Sequence, residues 1–166
     1  VNSLVIEQCA EDLRQLSIPT FVSWRGREQI APAPNLHYLY TSYIKPHFNG
    51  DATGRLWEGA TVTFVAMQLA YFMGFKQAIL IGVDHNFSTK GTPNTTIVST
   101  GDDPNHFHPG YFGKGFRWQL PDLETSEIAY RMAKQAYTSD GREILDATVG
   151  GKLTVFPKVN FDSILQ

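Results

Sequence analysis

Two stretches of the chain hold most of the groups able to do chemistry. Asp84-His85 follows the apolar run Gln77-Ala78-Ile79-Leu80-Ile81-Gly82-Val83, and the polar stretch Gly101-Asp102-Asp103-Pro104-Asn105-His106-Phe107-His108 comes after a gap. An imidazole titrates near neutrality, so His106 could take a proton from an acceptor hydroxyl or return one to a departing phosphate. Asn105 and Asp103 stand near enough along the chain to fix its tautomer. Asp84 falls where a buried strand should end, which is where open α/β sheets bind their ligands. There it could bind a ribose hydroxyl, orient His106 or hold a divalent ion, or simply cap the next turn through its own backbone.

Three further groupings need weighing. Asp102 and Asp103 with His85, His106 and His108 supply the donor types of a metal site. Their spacing follows no zinc motif, so magnesium shared with a nucleotide diphosphate is the metal expectation. Glu58-Gly59-Ala60-Thr61 opens a helical pattern, where Thr61 or the bare backbone of Gly59 could meet an anion, helped by the helix dipole. Plain N-capping uses the same residue types. Tyr111, Phe112, Phe116 and Trp118 could stack on a base or sugar, or pin a long loop to the core; packing is the expectation for Phe112 and Phe116.

The elements that must position these groups can be read from periodicity. Leu4, Ile6, Cys9, Leu13 and Leu16 recur at helical spacing, and Pro19 closes that segment. Strands are expected from Thr20 to Trp24 and from Leu36 to Tyr40, with a loop from Ile44 to Arg55. Ala60 to Met73 reads as a helix burying Val62, Val65, Ala66, Leu69, Phe72 and Met73, with Gly74 as its stop. The strand from Gln77 to Val83 is apolar enough to be covered on both faces. Asn86 to Gly115 reads as one long loop. A helix from Pro121 to Ser139 turns Ile128, Met132, Ala133 and Ala136 inward, and strands follow from Glu143 to Thr148 and from Leu153 to Phe156. This alternation predicts an α/β fold, a three-layer Rossmann-like sandwich with a mostly parallel sheet.

At 166 residues the chain fits one domain, and its 42% hydrophobic and 18% charged composition is that of an ordinary globular protein. A formal charge of −2, with scattered Lys and Arg, argues against a nucleic-acid partner. Thr61, Thr63, Gln68 and Lys76 interrupt the longest apolar candidate, so no membrane insertion is expected. The lone Cys9 excludes an intrachain disulfide and suggests a reducing, cytoplasmic setting.

Trp57-Glu58-Gly59-Ala60-Thr61, Met73-Gly74-Phe75-Lys76, Ile81-Gly82-Val83-Asp84-His85, Asp103-Pro104-Asn105-His106-Phe107 and Asp146-Ala147-Thr148-Val149-Gly150-Gly151-Lys152-Leu153 form a recognisable set. From about Leu4 to Leu165 the chain resembles the 6-hydroxymethylpterin diphosphokinase-like domain family of bacteria and archaea, which includes surface-polysaccharide biosynthesis relatives. It is distantly similar to bacterial lipooligosaccharide sialyltransferases, whose catalytic histidine would fall at His106. These families usually begin with a strand and a Gly-rich phosphate turn. No such turn occurs near the start, so the resemblance implies a domain of residues 1–166 lacking its first βα unit, the C-terminal part of a longer protein. It implies a nucleotide-dependent transferase, sialyltransferase-like, acting in surface-glycan biosynthesis on a cytidine sugar nucleotide. In that role His106 would be the base, with Asp84, Glu58, Gly59, Thr61, His85 and Tyr111 around the donor. The alternatives are a magnesium-dependent diphosphokinase using ATP, with Asp102 and Asp103 near the metal, and a non-catalytic binding domain.

Overall fold

The computed structural model describes residues 2–88, 90–106, 108 and 110–164. The parts of the sequence motifs that fall on Phe107 and Leu165 lie outside the described residues. Asn2 starts helix α1 (Ser3–Gln8), its side-chain oxygen accepting from the Leu4 amide at 2.9 Å. The single long helix expected at the start is broken at Cys9, whose ψ of 19° leaves the helical path before α2 (Ala10–Gln15) resumes.

Strand β1 (Thr20–Ser23) runs parallel to β2 (Leu36–Leu39), with Thr20 opposite Leu36. Two-residue strands β3 (Thr41–Ser42) and β4 (Leu56–Trp57) form a second parallel pair. After α3 (Val62–Phe72), β5 (Gln77–Leu80) pairs in parallel with β8 (Glu143–Asp146), across the hairpin of β6 (Thr96–Val98) and β7 (Arg117–Gln119) and the long helix α4 (Leu123–Ser139). The described strands thus make four two-stranded ladders, three parallel and one antiparallel. Mixed helices and short parallel sheets are compatible with the α/β class.

Several local expectations are corrected. Strand β5 stops at Leu80, and Ile81 is 62% exposed, so the apolar run is not covered on both faces. Helix α3 buries Phe64, Val65, Met67 and Gln68, while Val62, Ala66, Phe72 and Met73 point outward. Helix α4 buries Ser126, Ala129, Tyr130, Ala133 and Tyr137, which leaves Ile128 exposed. The supposed loop from Asn86 to Gly115 contains β6. Leu153, Val155 and Phe156 are buried but form no strand; only Lys158 bridges back, to Asp146.

The main core joins Phe64 and Met67 of α3 to Ala129, Tyr130, Ala133 and Tyr137 of α4, under Leu80, Ile144 and Leu153. The Tyr137 hydroxyl donates to the Met67 carbonyl at 2.7 Å, tying the two helices together within the core. The buried Gln68 amide donates to the Trp57 carbonyl at 2.9 Å and accepts from the Asn49 amide at 3.1 Å. Those bonds hold the loop before β4 against α3. Smaller clusters around Ile6, Val22 and Ile30 and around Leu39, Leu56 and Val65 support β1 to β4.

Candidate functional site

A cleft of about 500 Å³ opens beyond the end of β5. Of the sequence candidates, Glu58, Thr61, Asp84, His85, Asn105, His106 and Tyr111 line it. Gly59, Asp102 and Asp103 do not.

His106 is the most constrained group in the wall. Its Nδ1 lies 2.6 Å from Oδ2 of Asp103, whose side chain is only 2% exposed. Asp103 is itself fixed: Oδ1 accepts from the Asn105 amide at 2.8 Å, and Oδ2 also accepts from the Phe112 amide at 3.1 Å. Burial alone would raise this carboxyl, but the Asn105 amide, the His106 ring and charge, and the Phe112 amide outweigh it and hold it below the usual carboxylate range. The imidazole stacks on Tyr111 at 4.4 Å between centroids and meets Phe112 and Phe87 edge-on. Nδ1 is therefore taken, and none of the described groups bonds Nε2. A carboxylate that accepts from Nδ1–H leaves Nε2 as the nitrogen that can exchange a proton with a substrate.

This geometry has a consequence in acid. A carboxyl with a lowered folded pKa contributes stability that is complete above its unfolded value, about 3.9. That contribution fades as pH falls through the lower folded value. Thermal unfolding followed from pH 6 to pH 2 should show this acid loss, and Asp103→Asn should flatten that part of the curve. An unchanged acid limb in the variant would contradict the assignment.

The loop around the dyad is pinned from two sides. Oδ1 of Asn105 accepts from the backbone and hydroxyl of Ser88 at 2.9 and 3.0 Å, joining the His106 turn to the segment that follows β5. Phe112 stacks on Phe116 and Trp118, the packing role expected from the sequence. His108 caps its own turn, Nδ1 accepting from the Gly110 amide at 3.0 Å.

Helix starts supply another part of the lining. Thr61 caps α3, its hydroxyl accepting from the Thr63 amide at 3.2 Å and lying 3.3 Å from the Tyr130 hydroxyl. Burial pushes the Tyr130 phenol up, so it stays neutral. Glu58 is 3% exposed and paired with Arg25, whose guanidinium also lies 4.6 Å from the centre of the Tyr43 ring. Gly59 stands behind the wall. Its φ is 54°, and a Cβ there would lie 2.5 Å from Cβ of Ala129, so helix packing dictates the glycine. At the strand end, His85 takes the uncommon φ of 52°, its ring 6.1 Å from Tyr130. Asp84 is exposed, and its carbonyl accepts from the Lys152 amide at 2.7 Å. Asp103, not Asp84, is the carboxylate that orients His106.

Asp102 is exposed and Asp103 is occupied by His106 and two amides. Among the described residues no three His, Cys, Asp or Glu side chains gather as a metal site. Sequence reasoning missed Arg25, Tyr43, Asp122, Ser126 and Tyr130. Of these only Asp122 carried a local signal, an acid just before a helix; its Oδ1 accepts from the Thr125 amide at 3.0 Å.

The chain gives no significant match to protein-family models, to curated proteins or to solved structures. Also, no helix among the described residues is long and apolar enough to cross a membrane.

Proposed function

We propose that the protein is a nucleotide-dependent transferase, sialyltransferase-like, in which His106 removes the proton of an acceptor hydroxyl. This reading takes the parallel ladders as parts of a three-layer Rossmann-like sandwich with its ligand at the strand ends. The observation that carries it is the Asp103–His106 pair, held at 2.6 Å on the wall of a cleft of about 500 Å³. A base oriented by a buried carboxylate, beside a space that fits a nucleotide-sized ligand, is an arrangement suited to group transfer.

The step balances simply. The acceptor oxygen bonds to the anomeric carbon of the sugar as His106 Nε2 takes its proton, and the bond from that carbon to the phosphate oxygen breaks. The nucleoside monophosphate leaves with the electron pair.

Charge favours a donor of this kind over ATP. The described lining carries the carboxylates of Glu58, Asp84 and Asp122 and no lysine or arginine. A cytidine sugar nucleotide brings one phosphate to that wall, whereas a triphosphate brings several charges needing basic side chains or magnesium.

A thermal-shift series with the full-length protein separates the readings. A cytidine sugar nucleotide should raise the melting temperature without magnesium, by the linkage of binding to folding. A shift given only by ATP with magnesium would move the assignment to a diphosphokinase with Asp102 near the metal. No shift with either would leave a non-catalytic binding domain.

A further inference from the structure

We propose that Gln8 is a positioning residue for His106: its carboxamide clasps the outer edge of β7 and so fixes where the Asp103–His106 pair stands. The inference rests on the transferase reading for its effect on turnover, whereas the clasp itself stands on hydrogen bonds. On either side of β7, the Phe116 carbonyl accepts from the Ser99 amide and the Leu120 amide donates to the Thr95 carbonyl, both at 2.9 Å. Backbone groups alternate sides along a strand, so the amide and carbonyl of Arg117 face away from β6. No strand among the described residues pairs with that edge. Gln8 takes the place of one. Its Nε2 donates to the Arg117 carbonyl and its Oε1 accepts from the Arg117 amide, both at 2.8 Å, the two-bond exchange of a ladder pair. Nε2 also donates to the Leu4 carbonyl at 2.9 Å, which holds the carboxamide from within α1.

From Arg117 the path to the base is short. Trp118 is 6% exposed, and its Nε1 donates to the Ser99 hydroxyl at 3.1 Å. Its ring stacks on Phe112 at 5.8 Å between centroids. The Phe112 amide donates to Oδ2 of Asp103, the same oxygen that lies 2.6 Å from His106 Nδ1. Gln8 does not itself line the cleft, but it joins two elements that do, through Val5 and Ile6 of α1 and Trp118 of β7. The Glu7–Arg117 ion pair at 2.7 Å lies beside it, too exposed to hold the edge alone. A clasp at this point keeps the base at one distance from its acceptor, where a shift of about 1 Å can cost roughly a hundredfold in rate.

Gln8→Met keeps a long, unbranched helix former and removes both bonds to Arg117. With the full-length protein and a saturating cytidine sugar nucleotide, it should slow cytidine monophosphate release by about ten- to a hundredfold. Calorimetric affinity for cytidine monophosphate should stay within a few fold, because Gln8 is not part of the lining. Amide hydrogen exchange should quicken at Asn105 and Phe112 and stay unchanged at Ala133 in the core. Gln8→Glu adds a pH test. Its carboxylate accepts from the Arg117 amide but cannot donate to the carbonyl, whereas the protonated acid does both. The ratio of its turnover to that of the unmutated protein should rise as pH falls from about 8 to about 5, while the Gln8→Met ratio stays flat. Unchanged turnover in Gln8→Met, affinity lost in proportion to turnover, exchange quickened equally at Ala133, or a flat Gln8→Glu ratio would each overturn the positioning role while leaving the transferase reading standing. An unmutated protein that releases no cytidine monophosphate would overturn that reading and the role in turnover with it. Unchanged exchange at Phe112 in Gln8→Met would overturn the clasp itself.

Discussion

Replacing His106 by alanine is expected to lower turnover by roughly two to four orders of magnitude while leaving donor affinity nearly unchanged. The expectation follows from the division of the cleft. His106 meets Asp103, Tyr111, Phe112 and Phe87, whereas the helix starts at Thr61 and Asp122 and the strand end at His85 supply other parts of the lining. Asp103→Asn should cause a loss of comparable kind through the tautomer. An amide NH₂ turned towards Nδ1 would favour the proton on Nε2 and remove the base without removing the ring. His108→Ala should do far less, because that ring only caps a turn through the Gly110 amide. Steady-state kinetics paired with calorimetric donor binding would check the separation. A His106 variant that loses donor affinity in proportion to turnover would make the residue a binding group and not a base.

The largest expected effect on stability lies at Gly59. Its backbone has φ of 54°, and an added Cβ would sit 2.5 Å from Cβ of Ala129 and 2.8 Å from Cδ1 of Phe64. Both neighbours are fully buried, so neither can swing into solvent. A left-handed residue with a Cβ costs about 1–2 kcal/mol, and overpacking a filled core typically adds about 1–3 kcal/mol. Gly59→Ala should therefore lose about 2–5 kcal/mol in urea unfolding. The same turn joins Glu58 to Thr61, with the Thr61 amide donating to the Glu58 carbonyl at 3.0 Å, so the cleft wall would be disturbed as well. A loss below about 1 kcal/mol would mean that α3 and α4 separate easily at this contact.

The ends of the site were legible in the sequence because they sit on strongly patterned elements. An apolar run closed by Asp84-His85 predicts a strand end, and β5 brings both residues to the cleft. Faces were harder to read. Val62, Phe64, Val65, Ala66, Met67, Leu69 and Phe72 make α3 apolar almost all round, so periodicity could not choose its inward side. In α4 the buried stripe runs through Ser126, Ala129, Tyr130, Ala133 and Tyr137, and the hydroxyls of both tyrosines find partners at Thr61 and Met67. A reading that ranks Ile above Tyr inverts that choice. The hairpin of β6 and β7 escaped because its strands have three residues each and one reads Arg-Trp-Gln.

The role of Asp103 was only half visible. Its nearness to His106 along the chain was plain, but its choice over Asp84 depends on a turn. Asp103 Oδ1 accepts the Asn105 amide, which folds the chain back and brings Oδ2 to Nδ1. Asn105 was expected to share with Asp103 the fixing of the His106 tautomer; in the structure its side-chain oxygen accepts from Ser88 and so helps set the position of the turn.

The central claim is tested most directly by the rate of cytidine monophosphate release from a cytidine sugar nucleotide, measured at saturating donor with the unmutated full-length protein and with His106→Ala side by side. The account predicts measurable release by the unmutated protein and a fall of roughly two to four orders of magnitude in the variant. Equal release by both, or none by the unmutated protein, would contradict it.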